Sequence, residues 1–298
     1  MSWLMASLCA AGFLGVYELC NKHAVRGNAV LPVLFLSTFC SASIWTALLL
    51  FDSLRPGVLP TRFVTDHLTG AQHLELLLKS AIVTASWVCT YFAVKHLPVS
   101  ITSPIASTSP LFTLAGGLLI FLERPSHLQM LGITVTLGSF VGLSFAGHAE
   151  GVDFRKNGWV RLMLFGTLLN ATSALYDKFL LGRRHYSPAT VQAWFSIYLV
   201  VLFLPLAVGW KRRWWPRGEF HWRWSIPGIA LALLISDFLY FSALRDPAAL
   251  ISVVSSIRRG SVLVTFAGGL LLFGEGNGWR KLPAILGLLA GIWLIVLG

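Results

Sequence analysis

Asp237, Arg258 and Arg259 are ionisable residues set inside otherwise apolar sequence, the first within residues 229–241 and the two arginines within residues 249–273. If these stretches lie in hydrocarbon, each charge costs a few kcal/mol or more. Such groups face the interior of a helix bundle, pair with one another, or line a path for a solute. One carboxylate cannot neutralise two arginines, so a guanidinium is left whose fork of donors suits a carboxylate or a phosphate. Adjacent helical positions point about 100° apart, so one arginine is expected to face inward, with Asp237 positioning it. The alternative is an ion pair that only holds two helices together. Trp87, Tyr91 and Tyr240 are aromatic candidates for the walls of the same space, against a plainer role in packing or in an interfacial belt.

Catalysis has no comparable support. The sequence contains no Gly-x-Ser-x-Gly, no His-Glu-x-x-His and no Walker-type glycine loop, so no catalytic residue is expected and direct use of ATP is disfavoured. Cys9, Cys20, Cys40 and Cys89 lack the paired spacing of a disulfide framework or a zinc site, and the histidines show no His-x-x-x-His arrangement. No metal and no cofactor are expected. A polytopic membrane enzyme acting on a lipid or small molecule remains the alternative class, with a passive channel behind it.

The elements that must position these residues follow from hydropathy. Of 298 residues, 56% are hydrophobic and 12% charged, against about 25% charged in soluble domains. The mean hydropathy is +0.73. The apolar residues come in blocks near the length needed to cross roughly 30 Å of hydrocarbon. Breaking the chain at charged and Pro/Gly-rich stretches predicts an all-α integral membrane protein of ten transmembrane helices, at 2–20, 30–51, 74–93, 99–121, 128–147, 158–181, 189–209, 225–244, 249–273 and 282–298. Residues 2–20 read as a span and not as a removable leader, because Met1-Ser2-Trp3-Leu4 carries no basic n-region. Pro104 and Pro110 would kink the fourth span. Glu18, Asp177 and Lys178 fall toward span ends, as gate or proton-coupling groups at a cavity mouth or as solvated helix-end charges. Glu123 and Glu275 read as span stops.

The formal charge of +11 comes from 23 Lys plus Arg against 12 Asp plus Glu. These charges sit between the apolar blocks, as orientation signals do, and nucleic acid is not an expected partner. The run Trp210-Lys211-Arg212-Arg213-Trp214-Trp215-Pro216-Arg217 reads as an interfacial anchor against lipid headgroups.

The chain also repeats itself. Ala115-Gly116-Gly117 through Glu123 matches Ala267-Gly268-Gly269 through Glu275, and Tyr91-Phe92 precedes Pro98 as Tyr240-Phe241 precedes Pro247. Gly138-x-x-x-Gly142 recurs as Gly287-x-x-x-Gly291, a spacing that lets helices approach closely. The predicted halves are residues 1–150 and 151–298. Each holds five spans, and an odd number makes the second copy enter the membrane from the opposite face. Two inverted five-helix repeats place a site near the midplane between them, with alternating access as the natural motion.

With these features the sequence resembles the drug/metabolite transporter superfamily, specifically its EamA-type ten-helix permeases. The resemblance rests on Lys22 and Lys178 closing the first span of each half, on the Gly-Gly to Glu ends at Glu123 and Glu275, and on the run Ile257-Arg258-Arg259-Gly260-Ser261. It departs where the fourth span carries Pro104 and Pro110 and the ninth carries Arg258 and Arg259. It departs again where aligning Tyr17-Glu18 with Tyr176-Asp177 throws Lys22 and Lys178 out of register. The resemblance implies a secondary permease or exporter of a small metabolite in the bacterial inner membrane, proton-coupled or working by exchange. Arg258, Arg259, Asp237, Tyr240 and Trp87 would bind a small-molecule cargo, anionic or zwitterionic. Membrane lipids are the expected surroundings, and a homodimer is an open assembly.

Assuming alternation, the loops away from the termini hold the larger share of Lys and Arg, among them Lys22, Arg26, Lys211, Arg212 and Arg213. The positive-inside rule makes that side cytoplasmic, although similar permeases usually keep both termini inside. A reporter fused after Gly298 is therefore expected to be silent if it works only in the cytoplasm; activity there would reverse the assignment.

Overall fold

The computed structural model describes residues 2–97, 102, 105–106, 108–145, 157–214, 218–273 and 278–298. Pro98, Pro104, Glu275, the Trp215-Pro216-Arg217 end of the basic run and the predicted boundary at 150/151 lie outside them. Among the described residues the chain is helical throughout, in the order α1 Trp3–Val25, α2 Val30–Leu54, α3 Gly70–His96, α4 Ser109–Ile120, α5 His127–Phe145, α6 Gly158–Lys178, α7 Pro188–Lys211, α8 Ser225–Arg245, α9 Ile251–Arg258, α10 Ser261–Phe273 and α11 Gly278–Leu297. Five of them, α1, α2, most of α3, α7 and α8, are long and apolar enough to cross a membrane.

The helices begin where side chains can satisfy the free N–H groups of a first turn. Ser2 accepts from Met5 N, Asn157 from Trp159 N and Ser187 from Thr190 N, while Thr69 and Gln72 form a reciprocal capping box. Within the apolar helices, Thr38, Ser41 and Thr113 donate to carbonyls of their own preceding turn, which satisfies a hydroxyl where no water reaches.

The main packing partners are exchanged between the halves. Helix α1 lies along α8 and α3 along α6, α10 packs on α1 and α4 on α6, while α2 meets α7 and α5 meets α11. Substituting each helix of one half for its counterpart of equal rank in the other leaves this pairing unchanged.

The loops of the two halves are also tied. The Asp66 carboxylate, in the α2–α3 loop, accepts from Ser187 N at 3.0 Å and Thr190 Oγ1 at 2.8 Å. Burial raises its pKa, but these bonds and the Arg245 charge hold it net below the usual carboxylate range. Nearby, Glu75 pairs with Arg184 and accepts from the Tyr186 hydroxyl at 2.7 Å. Burial and that acceptor push the Tyr186 phenol up to about 12, so it remains a donor at neutral pH.

Two elements differ from expectation. The ninth span is not one helix: Gly260 N bonds Ile257 O at 2.8 Å and Leu263 N bonds Gly260 O at 3.0 Å, three-residue closures that break the α pattern between α9 and α10. The fourth span shows the same bonds at the same offset, Thr108 N to Ile105 O at 3.1 Å and Leu111 N to Thr108 O at 2.9 Å. The two segments of matching sequence therefore also share a backbone break, and α4 and α10 both start on a serine just after it. The close helix contact also uses different glycines. A Cβ on Gly291 would lie 2.3 Å from Thr136 Oγ1 and 2.9 Å from Gly132 O, and one on Gly287 would lie 2.1 Å from Ser139 Oγ, whereas Gly138 and Gly142 face open space. The small-residue seam between α5 and α11 is thus Gly132 with Gly287 and Gly291, because α5 turns Gly138 and Gly142 away from it.

Overpacking a tight seam costs about 1–3 kcal/mol. Gly291→Ala is therefore expected to lower the thermal midpoint of the purified protein by several degrees, with Gly138→Ala unchanged. Equal midpoints for both variants would show that the seam relaxes freely.

Candidate functional site

A cavity of about 210 Å³ lies at the centre of the bundle. Its wall takes Tyr17 from α1, Lys79, Val83 and Trp87 from α3, Ser109 and Thr113 from α4, Asn170 and Asp177 from α6, and Phe195 from α7. Helix α8 adds Asp237, Tyr240 and Phe241, and the end of α9 adds Ser255, Arg258 and the adjoining Arg259. Drug-sized ligands occupy roughly 300–1,000 Å³, so an occupant here is small.

Asp237 reaches this space because α8 turns its small and polar face, with Ser236 and Asp237, inward. Ser236 Oγ donates to Ala10 O at 2.8 Å and locks α8 to α1. One turn on, Tyr240 presents its ring to Arg258, whose guanidinium carbon stands 4.2 Å from the ring centroid. Arg258 donates to Asp237 Oδ1 at 2.5 Å. The arginine is held between a carboxylate and an aromatic face, which fixes the plane of its fork. Trp87 stacks on Phe203 of α7 at 5.9 Å and closes another part of the wall.

The helix break decides how both arginines are used. In a continuous helix Arg258 and Arg259 would diverge, but the turn at Arg259-Gly260 lets both border the cavity. Gly260 is required there because a Cβ would lie 2.9 Å from Ile257 O and 3.0 Å from Ile292 Cδ1. Arg259 is not left uncompensated, as the residue count alone suggested. Glu18 of α1 lies within electrostatic reach of it, and the Glu18 carboxylate accepts from Ser261 Oγ, at the start of α10, at 3.1 Å.

The three residues grouped as gate or proton-coupling candidates separate. Asp177 is a buried cavity residue, because α6 runs on past it through Lys178 into a π-helical turn at Phe179–Arg183. Lys178 turns away and donates to Ala249 O, ahead of α9, outside the cavity wall. Glu18 serves the break in the ninth span. These are three different environments and not one mouth.

Two residues carry more than the sequence reading assigned them. Lys79 is 2% exposed and pairs with Asp177, and its ammonium lies 4.4 Å from the Phe195 centroid and 5.0 Å from that of Phe241. Glu123 does not merely end a span. It is buried, and its carboxylate accepts from Ile251 N at 2.5 Å and from Ser252 N and Oγ at 3.1 and 2.7 Å. A group of the first half thereby caps the N-terminus of α9, where an anion is favoured. The two ion pairs differ in access. The Arg258 and Asp237 side chains are 23% and 12% exposed, against 2% and 7% for Lys79 and Asp177, so only the former offers atoms freely to cavity contents.

A model of the EamA-like transporter family matches residues 1–145. No curated protein matches the chain. Solved structures share the fold: one, described only as the crystal structure of a protein, aligns with a TM-score of 0.73 at 10% identity, over 99% of this chain and 97% of its own. At that identity the likeness is one of fold alone. The helical bundle, its long apolar helices and the family match agree that this is a multi-pass membrane protein, whose first 145 residues are similar to the EamA-like transporter family of the drug/metabolite transporter superfamily.

Proposed function

We propose that the protein is a secondary carrier that moves a small polar metabolite across a cell membrane, the bacterial inner membrane being the expected one, by alternating access of two inverted five-helix halves. The observation that carries the reading is a central cavity walled by helices of both predicted halves, with the Arg258–Asp237 pair partly open to it. The exchanged packing partners and the duplicated helix break support a pseudo-two-fold arrangement of residues 1–150 and 151–298.

In this reading Arg258 contacts cargo and Asp237 and Tyr240 hold its guanidinium, with Trp87 and Arg259 on the neighbouring wall. An arginine already bonded to a carboxylate suits a zwitterion better than a bare anion, because the carboxylate beside it can receive the cargo's positive end. A buried carboxylate is also a common proton carrier, and Asp237, Asp177 and Glu18 are the groups available for coupling. The family match favours transport over membrane enzymology, and an enzyme would alter its substrate without moving it.

The test is counterflow and gradient-driven uptake of a labelled metabolite panel in proteoliposomes. Solute is expected to cross unchanged and saturably. Arg258→Lys keeps the charge but loses the bidentate fork, so transport per folded molecule is expected to fall at least about tenfold, the equivalent of 1.4 kcal/mol. A well-folded Arg258→Ala variant with normal transport would confine that arginine to packing. Uptake that follows an imposed pH gradient indicates proton coupling; indifference to it, with counterflow intact, indicates exchange or facilitated diffusion.

A further inference from the structure

The pairing of Lys79 with Asp177 is more elaborate than a strut between α3 and α6 requires. The ammonium is enclosed by a carboxylate and by two aromatic rings from two further helices, α7 and α8. A carboxylate with facing aromatic rings is how a site recognises an organic ammonium from solution. Here the chain supplies that cation itself, from a wall of the central cavity.

The charges around the cavity make the consequence specific. Lys79, Arg258 and Arg259 stand against Asp177, Asp237 and Glu18, each cation with an acidic group in contact or within electrostatic reach. Among the described residues the three cations of the wall are thus balanced in formal charge by two carboxylates of the wall and by Glu18 behind it, beside Arg259. A solute bearing a net charge would leave one buried charge without a counter-charge, which is strongly unfavourable in a low-dielectric interior. A zwitterion brings no net charge and can meet Arg258 and Asp237 with its two ends.

We propose that Asp177, Phe195 and Phe241 form a subsite for a primary ammonium group, which Lys79 fills from within and thereby sets the cavity to admit solutes of no net charge. Removing that tethered cation opens the subsite to an organic monocation from solution. The admission half of this inference rests on the carrier reading; the subsite half does not.

The probe is n-propylammonium, which has the atoms that Lys79→Ala removes. At about ten times its Kd it is expected to raise the unfolding midpoint of purified Lys79→Ala by about 2–4 °C. No rise is expected in the wild type, with n-propanol, or in Lys79→Ala combined with Asp177→Asn. No rise in Lys79→Ala, or an equal rise with n-propanol, overturns the subsite. If Lys79→Ala does not fold alone, n-propylammonium present through expression and purification is expected to restore monodisperse protein where n-propanol does not; failure of that rescue overturns the subsite equally.

In proteoliposomes, Lys79→Ala is expected to take up labelled n-propylammonium at least about tenfold faster than wild type. Binding without uptake, while wild type still transports its own solutes, overturns the charge filter and leaves the carrier reading standing. Binding by Lys79→Ala together with no transport of any solute by wild type overturns the carrier reading and leaves the subsite standing.

Discussion

A charge surrounded by hydrocarbon has to bring its counter-charge with it, and the centre of this protein is arranged around that constraint. Lys79 reaches Asp177 across α3 and α6, Arg258 reaches Asp237 across α9 and α8, and Glu18 of α1 faces Arg259 and Ser261 at the start of α10. Each link joins helices that also share a packed face. Replacing a buried pair by apolar residues is often neutral or stabilising, whereas removing one partner is costly. Under the proposed carrier reading, their presence answers to the cavity more than to the stability of the bundle.

The break between α9 and α10 extends the same logic to the backbone. A helix that stops inside the bundle leaves free carbonyls at its end, and the next one opens with free N–H groups. Arg258 and Arg259 sit at the carbonyl end of α9, where cations are favoured, and Glu18 lies by the amide end of α10, where an anion is favoured. At its other end α9 is capped by Glu123 from the opposite half. This short helix is thus held at both ends by charge, and it carries the cation of the more accessible ion pair in the cavity.

Much of this was legible in the sequence, and the limits have physical causes. Hydropathy placed α2, α7 and α8 to within a few residues, because a span must be apolar over a fixed length whatever its neighbours are. Asp237, Arg258, Tyr240 and Trp87 stood out because polar groups or large rings in apolar sequence are conspicuous. Lys79 escaped notice because it lies only a turn or so inside its predicted span, where a lysine ordinarily snorkels to water; its partner is on another helix, and no periodicity reports that. Glu123 looked like a stop for the same reason. The backbone break could have been read more closely: Ile105 and Ile257, and Ser109 and Ser261, are identities within the duplicated segment that flank it. The Gly138 and Gly142 spacing misled because a motif states how close two helices can come, not which face is turned toward a partner.

The exchange of partners between the halves has a consequence for how the protein is made. Helix α1 packs on α8 and α3 on α6, so α1 and α3 leave the ribosome and enter the bilayer before the neighbours they pack against have been synthesised. Lys79 is inserted three spans ahead of Asp177, and Glu18 waits longest, until Arg259 and Ser261 emerge. Asp237 meets Arg258 one span later. During synthesis the early charges must be sheltered by water, lipid headgroups or the insertion machinery, and the final bundle assembles only as the second half arrives to neutralise the first.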